Sequence, residues 1–144
     1  MPTQQELDGV YMGAARLHAG LSKGIRAKVG ACLVTATGLI IPGYNGLPTA
    51  LGNDLEYIDP DTGELLTKPS VIHAELNAVM KAAKEGISCQ GSTCYVTLAP
   101  CEQCSSMLVQ VGVKEVIFDE YYRNTKGLDI LRESGVKYRC LLLH

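Results

Sequence analysis

His73-Ala74-Glu75 places an imidazole and, two residues later, a carboxylate; Pro100-Cys101-Glu102-Gln103-Cys104 adds two thiols at C-x-x-C spacing. One imidazole and two thiolates are donors that suit Zn2+, and three protein ligands leave one tetrahedral position open. A structural zinc site closes all four positions, whereas a catalytic site keeps one for water. The pattern therefore predicts hydrolytic chemistry. His73, Cys101 and Cys104 would hold the metal, and Glu75 would serve as the general acid and base beside the open position.

The two halves of this pattern are distant in sequence, so the fold must bring them together. Leu7, Val10, Tyr11, Ala14 and Leu17 recur at helical spacing and predict a first helix over Gln4 to Ala19. Val29 to Thr35 and Leu39 to Tyr44 are apolar, β-favouring runs around Ala36-Thr37-Gly38, which reads as a hairpin. Residues 45–70, rich in Gly, Pro, Asn and Asp, read as one long loop with a turn at Asp59-Pro60-Asp61-Thr62-Gly63. A second helix is predicted from about Ile72 to Glu85, ended by Gly86. Cys94 to Leu98 reads as a buried strand, followed by a third helix with Pro100 in its first turn and an end at Val111. A strand at Glu115 to Phe118, a helix at Leu128 to Glu133 and a strand at Val136 to Leu143 complete the chain. This order predicts an α/β fold, a three-layer α-β-α sandwich around a five-stranded mixed sheet with helices on both faces. Both halves of the metal pattern then fall at helix starts. Cys101 and Cys104 share a face of the third helix, where the helix N-terminus favours thiolates.

The 144 residues suit a single domain, 1–144, large enough for its own core. Net charge is −2 with no stripe of lysines and arginines, which argues against a surface that tracks nucleic acid and favours a small-molecule substrate. No apolar run reaches the ~20 residues that span a bilayer. Met1 to Gly9 lacks the basic-then-apolar order of a signal peptide, so a cytoplasmic location is expected. Cys101 and Cys104 are assigned to metal, and Cys32, Cys89, Cys94 and Cys140 to buried or half-buried thiols rather than disulfides.

Four segments surround the metal pattern: Ser22-Lys23 before Val29-Gly30-Ala31, Gly43-Tyr44-Asn45-Gly46-Leu47-Pro48, His73-Ala74-Glu75-Leu76-Asn77-Ala78, and Tyr95-Val96-Thr97-Leu98-Ala99-Pro100-Cys101. With them, roughly residues 5 to 140 resemble the zinc-dependent cytidine and deoxycytidylate deaminases, whose signature is H-x-E…P-C-x-x-C. The resemblance is strongest to the deoxycytidylate branch. It implies a cytidine deaminase-like fold and the hydrolysis of dCMP to dUMP and ammonia, supplying dUMP for thymidylate synthesis. One Zn2+ per chain would activate the water that attacks C4, while Glu75 carries protons to N3 and to the departing ammonia. Ala74, Leu98 and Ala99 would hold the pyrimidine edge, Val29 and His73 would pack on its faces, and Asn45 would bind the sugar. Lys23 and Arg26 are the implied phosphate contacts, with Arg123 a further one, and Tyr121 or Tyr122 would close over the base or phosphate. Gly43, Tyr44, Asn45 and Gly46 would help form a regulatory site for dCTP as activator and dTTP as inhibitor, with Mg2+ on the triphosphate, in a homohexamer. After that segment the chain departs from the family pattern, with Ala50-Leu51-Gly52-Asn53-Asp54 where members often carry Gly, Cys and paired acids. The 45–70 segment also lacks the His and Cys of the second, structural zinc found in some members. The competing readings are a deaminase of free cytosine, cytidine or a tRNA adenosine, and a zinc-stabilised binding module without turnover.

Overall fold

The computed structural model describes residues 1–142. In chain order the elements are α1 (Gln4–Ala19), β1 (Gly30–Val34), β2 (Ile40–Tyr44), β3 (Glu56–Ile58), β4 (Leu65–Thr67), α2 (Ala74–Glu85), β5 (Thr93–Leu98), α3 (Glu102–Gln110), β6 (Glu115–Glu120), α4 (Lys126–Glu133) and β7 (Lys137–Cys140). Five strands form one mixed sheet in the order β2-β1-β5-β6-β7. β1 runs antiparallel to β2 and β5, whereas β5, β6 and β7 run parallel. Parallel neighbours need a crossover, and α3 and α4 supply the two here.

Period-two alternation divides the core into two layers. Cys32, Val34, Tyr95 and Ile117 pack with Met12 and Ala15 of α1 on one face. Ala31, Leu33, Cys94, Val96, Val116 and Phe118 pack on the other, with Ala78, Val79 and Ala82 of α2, Leu108 of α3 and Leu131 of α4. The expected three-layer sandwich is therefore lopsided, with one helix on one side and three on the other. All six cysteines are free; Cys32, Cys89 and Cys94 are buried and Cys140 is half-buried.

Four sequence expectations are corrected. The buried stripe of α1 is Asp8, Met12 and Ala15, while Val10 and Leu17 of the expected apolar face are 62% and 78% exposed. Simple apolar periodicity fails there because an acid belongs to the inner stripe. Asp8 accepts hydrogen bonds from Tyr95 Oη at 2.6 Å and from the Arg139 guanidinium at 3.0 and 3.1 Å. The helix start is set instead by a capping box between Thr3 and Glu6.

The 45–70 loop is the second correction, because it contains the β3–β4 hairpin, paired Glu56 to Thr67, Tyr57 to Leu66 and Ile58 to Leu65. Its turn closes through Asp59 N–H to Glu64 O and Gly63 N–H to Asp59 O, both 2.8 Å, with Gly63 at φ +72°. Gly46 and Ile72 exchange backbone hydrogen bonds of 3.1 and 2.8 Å, which pinch the whole excursion shut at its base. Thirdly, α3 begins at Glu102 with Cys101 as its N-cap, so Pro100 lies just outside the helix. Fourthly, the last strand ends at Cys140; the expected strand position Leu143 lies outside the described residues.

Candidate functional site

His73 is the N-cap of α2 and Cys101 the N-cap of α3, with Cys104 three residues on in the first turn. Neither cap residue makes a side-chain capping bond, so both side chains are turned to each other instead. His73 Nδ1 lies 3.2 Å from Cys104 Sγ and 3.7 Å from Cys101 Sγ, and the three donor atoms sit within 4.8 Å of one another. Tetrahedral zinc with its usual bond lengths sets nitrogen and sulfur roughly 3.5 Å apart. The donor set and its spacing fit that ion.

Glu75, the second residue of α2, is only 3% exposed. Burial drives its carboxyl up to about 7, against the pull of its own backbone N–H and of His73. A hydrogen bond from the Cys104 thiol brings the Cys101 thiol down to about 4, with burial opposing and His73 assisting. The same bond drives the Cys104 thiol upward, with burial adding to it. His73 is raised by its hydrogen bond to Cys101, against burial. A divalent cation therefore meets protons it must displace, so metal uptake is coupled to pH.

A cleft of about 240 Å3 opens beside this cluster, near the lower end of the ~300–1,000 Å3 common for ligand pockets. His73, Ala74, Glu75, Leu98, Ala99 and Cys101 line it. Ala74 is the first residue of α2, a position whose N–H has no intrahelical partner. The N–H of Ala99 is spent on Glu120 O at 2.8 Å, leaving its carbonyl for other uses. Arg26, Val29, Asn45, Thr67, Tyr122 and Arg123 also line the cleft.

The segments that carry Arg26, Val29 and Asn45 are held by polar side chains. Asn45 Oδ1 accepts from Val29 N–H at 2.8 Å and Asn45 Nδ2 donates to Ala27 O at 3.0 Å, so both ends of the amide hold the 27–29 backbone. Ser22 Oγ donates to Asn45 O at 3.0 Å and accepts from Gly24 N–H at 3.1 Å. Asn77 Nδ2 donates to Tyr44 O at 2.7 Å, tying α2 to the end of β2.

Two expected contacts lie elsewhere. Lys23 points to solvent and does not line the cleft, because its neighbours Ser22 and Gly24 are both turned inward. Tyr121 packs edge-on against Phe118 at 5.0 Å and is half exposed, so of the two tyrosines Tyr122 faces the cleft. Of the expected regulatory residues, Gly43 has a packing reason of its own. A Cβ there would collide with the Ala74 carbonyl, so only glycine lets β2 approach α2 this closely. Gly46 forms the bridge to Ile72, and Tyr44 is 37% exposed. Sequence reasoning missed Thr67 as a wall residue and Glu56 behind it. The signal was present in the β-favouring Tyr57-Ile58 and Leu65-Leu66 flanking the Asp59–Gly63 turn.

Residues 5–120 match the model of the cytidine and deoxycytidylate deaminase zinc-binding region. The chain belongs to this deaminase family. Human deoxycytidylate deaminase is 38% identical over 137 residues, covering 90% of this chain and 76% of that protein. The deoxycytidylate deaminase of Enterobacteria phage T4 is 47% identical over 68 residues, covering 46% of this chain and 35% of that one. Among solved structures, the dCMP deaminase of cyanophage S-TIM5 in complex with dCMP and dUMP superposes with a TM-score of 0.84 at 38% identity, covering 97% of this chain and all of that one. This family member thus combines a three-donor metal cluster, a buried carboxyl beside it and a small cleft. No helix among its described residues is long and apolar enough to cross a membrane.

Proposed function

We propose that this protein, as a single domain over residues 1–144, hydrolyses dCMP to dUMP and ammonia with one Zn2+ held by His73, Cys101 and Cys104. The observation that carries the choice of a phosphorylated substrate is the pairing of the arginines. Of the five in the chain, Arg16 is paired with Asp119, Arg132 with Asp129, and Arg139 with Asp8 and Glu115. Arg26 and Arg123 form no ion pair among the described residues, and both line the cleft. Two uncompensated guanidiniums at the rim of one small cleft suit a dianionic phosphate.

Bound zinc supplies a Lewis acid that makes water acidic enough to react near neutral pH. Glu75 takes one proton from that water and delivers it to the pyrimidine N3, then takes the second from the hydroxyl added at C4 and delivers it to the amino group, which leaves as ammonia. Burial raises this carboxyl above its ordinary value, which suits a group that must both take up and give back a proton. The free Ala74 N–H donates to the base carbonyl, and the carbonyls of Leu98 and Ala99 accept from the amino group. Val29 and His73 flank the ring, Asn45 borders the sugar, and Tyr122 with the Arg123 guanidinium 5.2 Å above its ring closes the phosphate end. Lys23 has no part in this arrangement.

Rates on dCMP and deoxycytidine test the substrate. We expect kcat/KM for dCMP to exceed that for deoxycytidine by about tenfold or more, the worth of a hydrogen bond to a charged group; equal values would overturn the nucleotide reading. Metal analysis of the purified protein should find one zinc per chain. The family resemblance also supports a cytoplasmic homohexamer activated by dCTP and inhibited by dTTP through Gly43, Tyr44, Asn45 and Gly46, with Mg2+ on the triphosphate. Calorimetry and rates with each triphosphate decide that part, and light scattering decides the hexamer. No heat and unchanged kinetics would remove the regulatory role.

A further inference from the structure

We propose that the cross-strand pair Glu56 and Thr67 positions Arg26 and thereby sets the preference for a phosphorylated substrate. The proposal rests on the reading of Arg26 as a phosphate contact given above.

The two residues are direct partners in the β3–β4 register, so their side chains leave the hairpin on the same face. Each grips a different part of Arg26. Glu56 Oε2 accepts from the backbone N–H of Ile25 at 2.8 Å and of Arg26 at 3.1 Å. Thr67 Oγ1 accepts from Arg26 Nη1 at 3.0 Å. Backbone and side chain of one exposed arginine are thus both fixed from one short hairpin.

The chemistry of the two grips differs in a way that suits an anion site. The guanidinium is held by a neutral hydroxyl, which orients it without cancelling its charge and leaves its other N–H groups free. The carboxylate is spent on two main-chain amides, and Glu56 does not line the cleft, whereas Arg26 and Thr67 do. An exchange of roles, with Glu56 on the guanidinium, would neutralise the arginine as Asp119 neutralises Arg16. β3 and β4 form a separate two-stranded sheet, with Tyr57 41% and Ile58 60% exposed. An isolated hairpin of this size contributes little stability of its own, so its grip on the 25–26 segment is the feature that explains its place.

The test compares Glu56→Ala, Thr67→Val, Thr67→Ser and Arg26→Ala at equal zinc content and equal melting temperature. Rates are measured on dCMP and deoxycytidine, and binding of dUMP and deoxyuridine by calorimetry. Glu56→Ala should raise KM for dCMP and Kd for dUMP about tenfold with kcat within about twofold, and leave the unphosphorylated pair unchanged. Thr67→Val should show the same pattern at about threefold, and Thr67→Ser should restore wild-type values. Equal losses on dCMP and deoxycytidine, or unchanged KM and Kd in both Glu56→Ala and Thr67→Val, would overturn the proposal. A wild-type enzyme without preference for dCMP, or a preference that survives Arg26→Ala, overturns the reading of Arg26 and this proposal with it. A preference lost in Arg26→Ala but intact in the hairpin variants overturns the positioning alone.

Discussion

On the inner side of the cleft, His73, Glu75, Cys101 and Cys104 stand at the starts of α2 and α3, whose apolar residues Ala78, Val79, Ala82 and Leu108 are packed into the core. On the outer side, Arg26, Asn45 and Thr67 stand on a loop, a strand end and a hairpin joined by hydrogen bonds between side chains and backbone. The inner groups inherit their precision from close packing, where a shift of one side chain is resisted by the whole core. The outer groups depend on individual bonds, each replaceable by water when broken. Chemistry placed by packing tolerates no sliding, whereas recognition placed by surface bonds can be retuned one residue at a time.

The largest expected effect breaks the inner side. Glu75→Gln keeps shape and loses the proton carrier, so kcat should fall by about 10²–10⁴ on dCMP and deoxycytidine alike, with zinc content unchanged. A variant as fast as wild type would remove Glu75 from the mechanism. Next comes the outer side. Arg26→Ala and Arg123→Ala should each lower kcat/KM for dCMP by about 10- to 100-fold, chiefly through KM, and spare deoxycytidine. Losses shared by both substrates would show that the two sides are not separable in this way.

A third expectation concerns stability. The Glu75 carboxyl is raised to about 7 from an ordinary 4.5, so the folded metal-free protein keeps a proton that the unfolded chain has lost between those values. Stability is then full below about 4.5 and falls as pH rises towards about 7. At about 1.4 kcal/mol for each tenfold in proton affinity, the penalty above that range is about 3 kcal/mol. Chelated Glu75→Gln should therefore be more stable than chelated wild type at pH 8 by about 3 kcal/mol, with the advantage gone near pH 4.5. Denaturant melts across pH measure it, and a pH-independent difference would refute it.

The smallest effect belongs to neither side. Asp8 is opposed by burial but held below its ordinary 3.8 by hydrogen bonds from Arg139, Tyr95 and Gln4. Its depressed value stabilises the fold above 3.8 and ceases to do so as pH falls below it. Asp8→Asn should cost about 1–2 kcal/mol at pH 7, lose that difference in acid, and leave KM for dCMP untouched. A changed KM would mean that the α1 face communicates with the cleft.

The inner side was legible in the sequence because its residue types are chemically restrictive: few combinations other than a metal site place His, Glu and two Cys at helix starts. The five-stranded sheet was legible because its strands are apolar and its helices carry clear stops such as Gly86. The outer side was obscured by turn-forming composition. The three-residue strands Glu56–Ile58 and Leu65–Thr67 are too short for periodicity to register, and their partner, the 25–26 backbone, is remote in sequence. The burial of Asp8 was illegible for a related reason. An acid reads as a surface residue until Tyr95 and Arg139 are known to meet it.

The Gly46–Ile72 bridge has an evolutionary consequence. Because the two ends of the excursion are already pinned together, a longer or shorter insert between them adds little strain to the frame. Doubling such a loop costs only about 0.6 kcal/mol in closure entropy. Residues 47–71 can therefore be exchanged as a unit while the donor cluster of His73, Cys101 and Cys104 keeps its place. Lineages sharing this frame could acquire new substrate preferences by grafting at that neck, without rebuilding the donor cluster.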